Sequence, residues 1–333
     1  MSATQLQARA AAEPPRPDEP VRLLYIGGLG RSGSTLLDRM LSRVDGVCSV
    51  GELVHLWERG LVLNNRCGCG QRFRECPFWR QVGEEAFGGW DAVDGRQVLA
   101  LKRSVDRNRF VHRMLLPALW PGYRARLDRY LELLGRVYEA IRRVSGRPLV
   151  VDASKHASHG FLVRRLGGVE LRLLHLVRDS RGVAFSWTKP LRRTEVADRD
   201  ITMKTYNPLR MSARYLSQNL LLHLLRRLGA PTVRVRYESL ARDPAPELTR
   251  VLDHAGRPPA AGELGFVGDG WVELGPSHAL AGNPMRFQSG RVPLRVDEAW
   301  RDRLRRRHRL VTSVATWPLL LAYGYLRGGG RGR

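Results

Sequence analysis

A chain of 333 residues, 43% of them hydrophobic, can bury one sizeable core and is read as a single domain with an insertion; fibre, repeat array and wholesale disorder are excluded. The formal charge of +24 calls for an anionic partner and leaves nucleic acid, a membrane surface, a phosphorylated cofactor and an acidic substrate open. Only four of the 56 basic residues are lysines (Lys102, Lys155, Lys189 and Lys204), the bias of a GC-rich bacterial genome, so a lysine at a candidate site is conspicuous.

Residues 1–20 are rich in Ala, Pro and Glu and lack a basic start followed by an apolar run. They are expected to form a disordered lead-in, and the chain a cytoplasmic protein, with 21–333 as the domain. Val21 to Ile26 reads as a buried strand running into GGLGRSGSTLLDRMLSRV, a Gly-rich turn followed by a helical pattern. Such a turn lets successive N–H groups converge on a phosphate, with the helix dipole behind them. Relative to the nucleotide-hydrolysing pattern GxxxxGK[ST], Ser34 stands where the lysine belongs and the cation moves to Arg31.

From 53 to 147 the pattern is mainly helical, an insertion expected to cover the site. It holds the run CGCGQRFRECPFW. Without an export signal a disulfide framework is not expected for Cys67, Cys69 and Cys76, and a metal would have to recruit Cys48 or His55; buried reduced thiols and no metal are the expectation.

Further strands are predicted at Pro148 to Asp152, Leu171 to Val177 and Thr232 to Tyr237, with helical blocks near 203–228 and 246–255. Lys155 follows the second strand, where Asp152 either orients it or caps the next helix. Arg178 follows the third. The Gly- and Pro-rich stretch 256–296 reads as irregular loops. The apolar tail LVTSVATWPLLLAYGYLR is too interrupted to span a bilayer and is expected to dock as a terminal helix, with peripheral membrane contact as the alternative. The order of elements gives an α/β fold: a P-loop-like parallel β-sheet flanked by helices.

The turn RSGSTL with the later LRLLHLVRDSRGVAFS resembles the PAPS-dependent sulfotransferase family, where PAPS is 3′-phosphoadenosine-5′-phosphosulfate. The resemblance covers 21–52, 148–190 and 232–245. It implies that Arg31, Ser32, Gly33, Ser34, Thr35 and Leu36 hold the 5′-phosphosulfate side, and that Arg178 with Ser186 holds the 3′-phosphate. It also makes Tyr237, in VRYESLARDP, a candidate wall of the base pocket; a core tyrosine at a strand end is the alternative. The positions of Glu52 and Lys155 resemble the tyrosylprotein and carbohydrate branches, where Glu is the base and Lys steadies the sulfate; His55 is the rival base. The RKGxxG segment of the cytosolic branch is missing, and Arg286 and Arg291 of GNPMRFQSGR stand in as candidate cofactor contacts.

The implied activity is sulfuryl transfer from PAPS to a hydroxyl or amine of a small-molecule, lipid or glycan acceptor. Glu52, Lys155 and Arg31 would be catalytic, 3′-phosphoadenosine-5′-phosphate (PAP) the product, and no metal required. Trp57, Phe78, Trp79 and Trp120 are either acceptor-pocket or core residues. A P-loop kinase or hydrolase is disfavoured by the missing lysine. A nucleic-acid binder is disfavoured because no recognition motif is found and the arginines are dispersed, apart from RDRLRRRHR near the end.

Overall fold

The computed structural model describes residues 19–189 and 205–326, so most of the expected lead-in and the start of the 203–228 helical block lie outside the described residues. The chain begins with β1 (Val21–Gly28), α1 (Ser34–Leu41) and β2 (Val47–Ser49), and then enters the insertion. There a 3₁₀ turn (Leu53–His55) and a π-helical segment (Leu56–Val62) precede α2 (Pro77–Phe87), α3 (Gly95–Val105), α4 (Val111–Leu115) and α5 (Pro121–Ser145). The α/β part resumes with β3 (Leu149–Lys155), α6 (Ala157–Val163), β4 (Val169–Val177) and α7 (Ser180–Thr188). It continues through α8 (Pro208–Arg227), β5 (Thr232–Arg236), α9 (Tyr237–Arg242) and α10 (Pro244–His254).

These five strands form a parallel sheet in the order β2-β3-β1-β4-β5. The central strand β1 is buried at every position except Arg22, as expected of a strand covered on both faces. Its alternation decides which residue meets which layer. Leu23 and Tyr25 join the insertion and α6 in one core, whereas Leu24 and Ile26 join α1, α10 and the C-terminal region in the other. The insertion is braced by α5, whose Leu127, Leu134, Val137, Tyr138 and Ile141 form one buried face, ending at Gly146 in the left-handed conformation.

Four strands differ from the sequence expectation. β2 adds an edge strand too short to show as an apolar run. Within 256–296, β6 (Val267–Gly268), β7 (Trp271–Leu274) and β8 (Gly290–Pro293) form a small antiparallel sheet, because Phe266, Val272 and Leu274 bury against the second core despite the Gly- and Pro-rich surroundings. The chain closes with α11 (Trp300–Arg303) and α12 (Arg306–Ala322). Leu319 and Tyr323 dock this terminal helix on α7 and α8, while Leu310, Val314, Trp317 and Leu321 remain exposed. No described helix is long and apolar enough to cross a membrane.

Candidate active site

A parallel sheet collects the carboxyl ends of its strands along one edge, the usual place for a ligand in an open α/β fold. Here a cleft of about 1160 Å³ opens there, and all five strands contribute to it: the 28–36 turn follows β1, Glu52 follows β2, Lys155 ends β3, Arg178 follows β4 and Tyr237 follows β5. Gly282, Asn283 and, from α8, Arg214 and Gln218 also line it.

In the turn, Arg31 has φ of 74° and Gly33, the residue before α1, has φ of 87°. The N-cap residue Gly33 offers no side chain to cap α1 and the first turn carries no acid, which suits the N–H groups of Ser34, Thr35 and Leu36 to an anion. The Tyr237 ring lies under the turn: a Cβ on Gly33 would stand 2.5 Å from it. The turn also meets Trp187, whose Nε1 donates to the Gly30 carbonyl at 3.0 Å and whose ring lies 5.1 Å from the Arg31 guanidinium. Ser32 is buried beneath the turn and does not line the cleft with its neighbours.

β3 reaches the site through an irregularity. Tyr25 pairs with Asp152 but Gly27 with Lys155, so β3 carries an extra residue and Lys155 takes φ of 69°. Its ammonium then donates to Glu52 Oε1, to the Ala153 carbonyl at 3.2 Å, and sits in the cleft. The other Glu52 oxygen lies 3.4 Å from His55 Nε2. Burial favours the neutral acid at Glu52, but the Lys155 ammonium and the His55 hydrogen bond outweigh it and hold the carboxyl well below its ordinary range. Burial lowers the His55 pKa against the pull of Glu52, so the imidazole is neutral at pH 7.

Asp152 holds neither lysine nor helix. Its carboxylate accepts from Leu53 N at 3.3 Å, Ser154 N at 2.8 Å and Tyr138 Oη at 2.6 Å, and Ser154 Oγ accepts from Val54 N at 2.8 Å. This buried pair anchors the turn that presents Glu52.

Arg178 reaches the turn that follows β1. Its guanidinium donates to the Arg31 carbonyl at 2.8 Å and to Asp297 Oδ2 at 3.1 Å, and lies 4.3 Å from the centre of the Tyr237 ring. Ser186, on α7, lines the same cleft. The turn with Arg31 and the pair Arg178 and Ser186 thus line one cleft, bringing amides, cations and a hydroxyl to the same space. This donor set and volume fit a nucleotide bearing phosphate groups at both ends.

Residues 24–260 match the sulfotransferase family. The chain belongs to that family. Such an enzyme transfers a sulfuryl group from PAPS, and the parallel sheet found here agrees with that assignment. No curated protein matches the sequence. Among solved structures, this sulfotransferase is similar to the sulfotransferase domain of the Synechococcus PCC 7002 olefin synthase: 21% identity, 93% of this chain and 98% of that one covered, TM-score 0.48. It is also similar to the sulfotransferase domain from the curacin biosynthetic pathway, at 18% identity, 90% and 97% coverage and a TM-score of 0.46. For a sulfotransferase from Mycobacterium avium the figures are 14%, 74%, 67% and 0.38.

Two residues expected as cofactor contacts lie elsewhere. Arg286 is buried, donating to the Ala279 carbonyl at 3.0 Å and the Arg66 carbonyl at 2.8 Å, while Arg291 packs on Trp271, 4.3 Å from its ring centre. Neither lines the cleft, because a basic residue in a loop can serve the loop's own packing as readily as an anion. Trp57 and Trp79 are core residues, and Phe78 and Trp120 pack against the same core; none lines the cleft. Conversely, Trp187, Gln218 and Asp297 do line it and were not expected. Trp187 was in view beside Ser186; Asp297, reaching Arg178 from over a hundred positions away, left no local signal.

Proposed function

We propose that this sulfotransferase passes the sulfuryl group of PAPS to a hydroxyl or amine of a small-molecule, lipid or glycan acceptor, with Glu52 as the base. The observation that supports this most is the pairing in one cleft of an ionised Glu52 with Lys155, beside the uncapped turn and Arg31. PAPS, when bound, supplies the sulfuryl group and a phosphate leaving group. The amides of Ser34, Thr35 and Leu36, with Arg31, would hold its 5′ side; Arg178 and Ser186 would hold the 3′-phosphate, and Tyr237 would wall the base.

Within that frame, Glu52 accepts the acceptor's proton as its oxygen or nitrogen attacks. Lys155 and Arg31 offset charge that builds on the transferring group and leaving oxygen, the preorganised electrostatics on which such transfers depend. The Asp152 and Ser154 hydrogen bonds keep the Glu52 turn in place, and Gln218, donating to the Lys155 carbonyl, steadies the bulge. A second reading makes His55 the base, because burial keeps its imidazole neutral beside Glu52.

Thermal-shift titration with PAP, ATP and AMP tests the cofactor without knowing the acceptor. Stabilisation by PAP alone is expected, whereas equal stabilisation by ATP would favour a kinase or hydrolase. Glu52→Gln is expected to lower turnover by about 10² to 10⁴ while keeping the PAP shift. Near-normal turnover in Glu52→Gln, with loss in His55→Gln, would move the base to His55.

A further inference from the structure

The insertion and the loop that closes the cleft meet at four side chains outside the cleft. Cys67, Cys69 and Cys76 are all free thiols, and their sulfur atoms gather with Nδ1 of His278 so that all four atoms lie within 4.8 Å of one another. Cys69 Sγ to Cys76 Sγ is 3.6 Å and Cys76 Sγ to Cys67 Sγ is 3.7 Å, far longer than a disulfide bond of about 2.05 Å. His278 Nδ1 lies 3.2 Å from Cys76 Sγ and 3.8 Å from Cys67 Sγ. Ligands about 2.3 Å (sulfur) and 2.0 Å (nitrogen) from a tetrahedral centre stand roughly 3.5–3.8 Å from each other, so the separations of 3.2–3.8 Å among these atoms are close to the edges of a coordination shell.

The fourth member is therefore neither Cys48, which lies on β2, nor His55, which lines the cleft, but a histidine some two hundred positions further along. The surroundings fix the four donors. The Arg66–Arg72 bridge and the bond from Cys67 N to the Gln71 carbonyl at 2.8 Å fold the Cys run into a compact turn. Phe78 stacks on the His278 ring with centres 5.1 Å apart, and Trp79 Nε1 donates to the His278 carbonyl at 3.0 Å. Gly68 N donates to the Ala279 carbonyl at 2.9 Å, and Arg286 bridges the carbonyls of Ala279 and Arg66.

We propose that Cys67, Cys69, Cys76 and His278 bind one zinc ion, a closed Cys₃His site that pins the insertion to the loop over the cleft. Soft thiolates with one imidazole in a tetrahedral array suit zinc, and four protein ligands leave no position for substrate, so the role is structural. Binding exchanges three thiol protons for the metal. From His278 the chain runs through Leu280, whose N–H donates to the Val50 carbonyl at 3.0 Å, to Gly282, where a Cβ would lie 3.3 Å from Glu52 Oε1 and 3.3 Å from Thr35 Oγ1. The metal would thus hold the cover of the cleft in register with Glu52, while taking no part in sulfuryl transfer.

The test uses the full chain purified without chelator or affinity metal. Elemental analysis is expected to find about one zinc per chain, released in step with modification of the thiols by an organomercurial in the presence of a zinc indicator. Cys48→Ser should keep the full zinc content, whereas Cys69→Ser and His278→Gln should lower it. Cobalt reconstitution should give thiolate-to-metal charge-transfer absorbance. Metal-free protein whose thiols react freely, a disulfide among the three cysteines, or full zinc content in Cys69→Ser and His278→Gln would each overturn the proposal. If those variants do not fold, release from the native chain decides. None of these readouts depends on PAPS or on turnover.

Discussion

At Glu52, two opposed forces meet: burial that would protonate the carboxyl, and a lysine that prevents it. Because the folded-state pKa is depressed, the pair's contribution to stability is present above the ordinary carboxylate range and is lost as pH falls through the lower, folded value. With Glu52 as the proposed base, the same sign would govern catalysis, since a base held ionised stays competent on the acid side. Lys155→Met removes the largest force lowering that pKa and leaves burial in place. The acidic limb of the kcat/KM profile should therefore move to higher pH, with turnover reduced; a limb that stays put would show that Lys155 does not set the ionisation of Glu52. Residues of this kind were legible because each ends or follows an apolar run, as with Arg31, Lys155 and Arg178. Arg286 was not, because a sequence shows charge but not the two carbonyls that absorb it. His278 was invisible for a different reason: its partners are remote in the chain, and only tertiary packing brings them together.

Among the elements, the turn between β1 and α1 depends most closely on its neighbours. Gly33 combines φ of 87° with a tyrosine ring under its Cα, so both backbone conformation and space require glycine. Gly33→Ala should cost about 1–3 kcal/mol in backbone strain, more if Tyr237 cannot yield, and should abolish the PAP-dependent rise in Tm by displacing the amides of α1. A normal PAP response in a folded Gly33→Ala protein would detach the turn from nucleotide binding. The turn was readable from its glycines, as were four of the five parallel strands from their aliphatic runs. β2 escaped because three residues, Val47 to Ser49, carry no usable periodicity. β6 to β8 escaped because Gly and Pro mark the bends of a small sheet as readily as an irregular loop, and the burial that separates the two cases is contributed by the other core.

Across the whole molecule, five parallel strands deliver their ends to one edge, and that shared geometry converts residues scattered from 31 to 237 into a single cleft. The order of apolar runs and intervening helices made this architecture legible, while the closure of the cleft by Asp297, Gln218 and the loop at Gly282 arose from segments whose destination no local pattern states. The hydrogen bond from Arg178 to the Arg31 carbonyl ties the far bank of the cleft to the near one. A ligand that never touches the far bank should still feel its loss. Adenosine 5′-phosphosulfate, which lacks the 3′-phosphate, offers that comparison: Arg178→Lys, unable to reproduce the forked donor, should weaken its binding about fivefold, the worth of roughly one hydrogen bond. Unchanged affinity would mean the two banks behave as independent grips; a shared loss would mean that they work as one jaw.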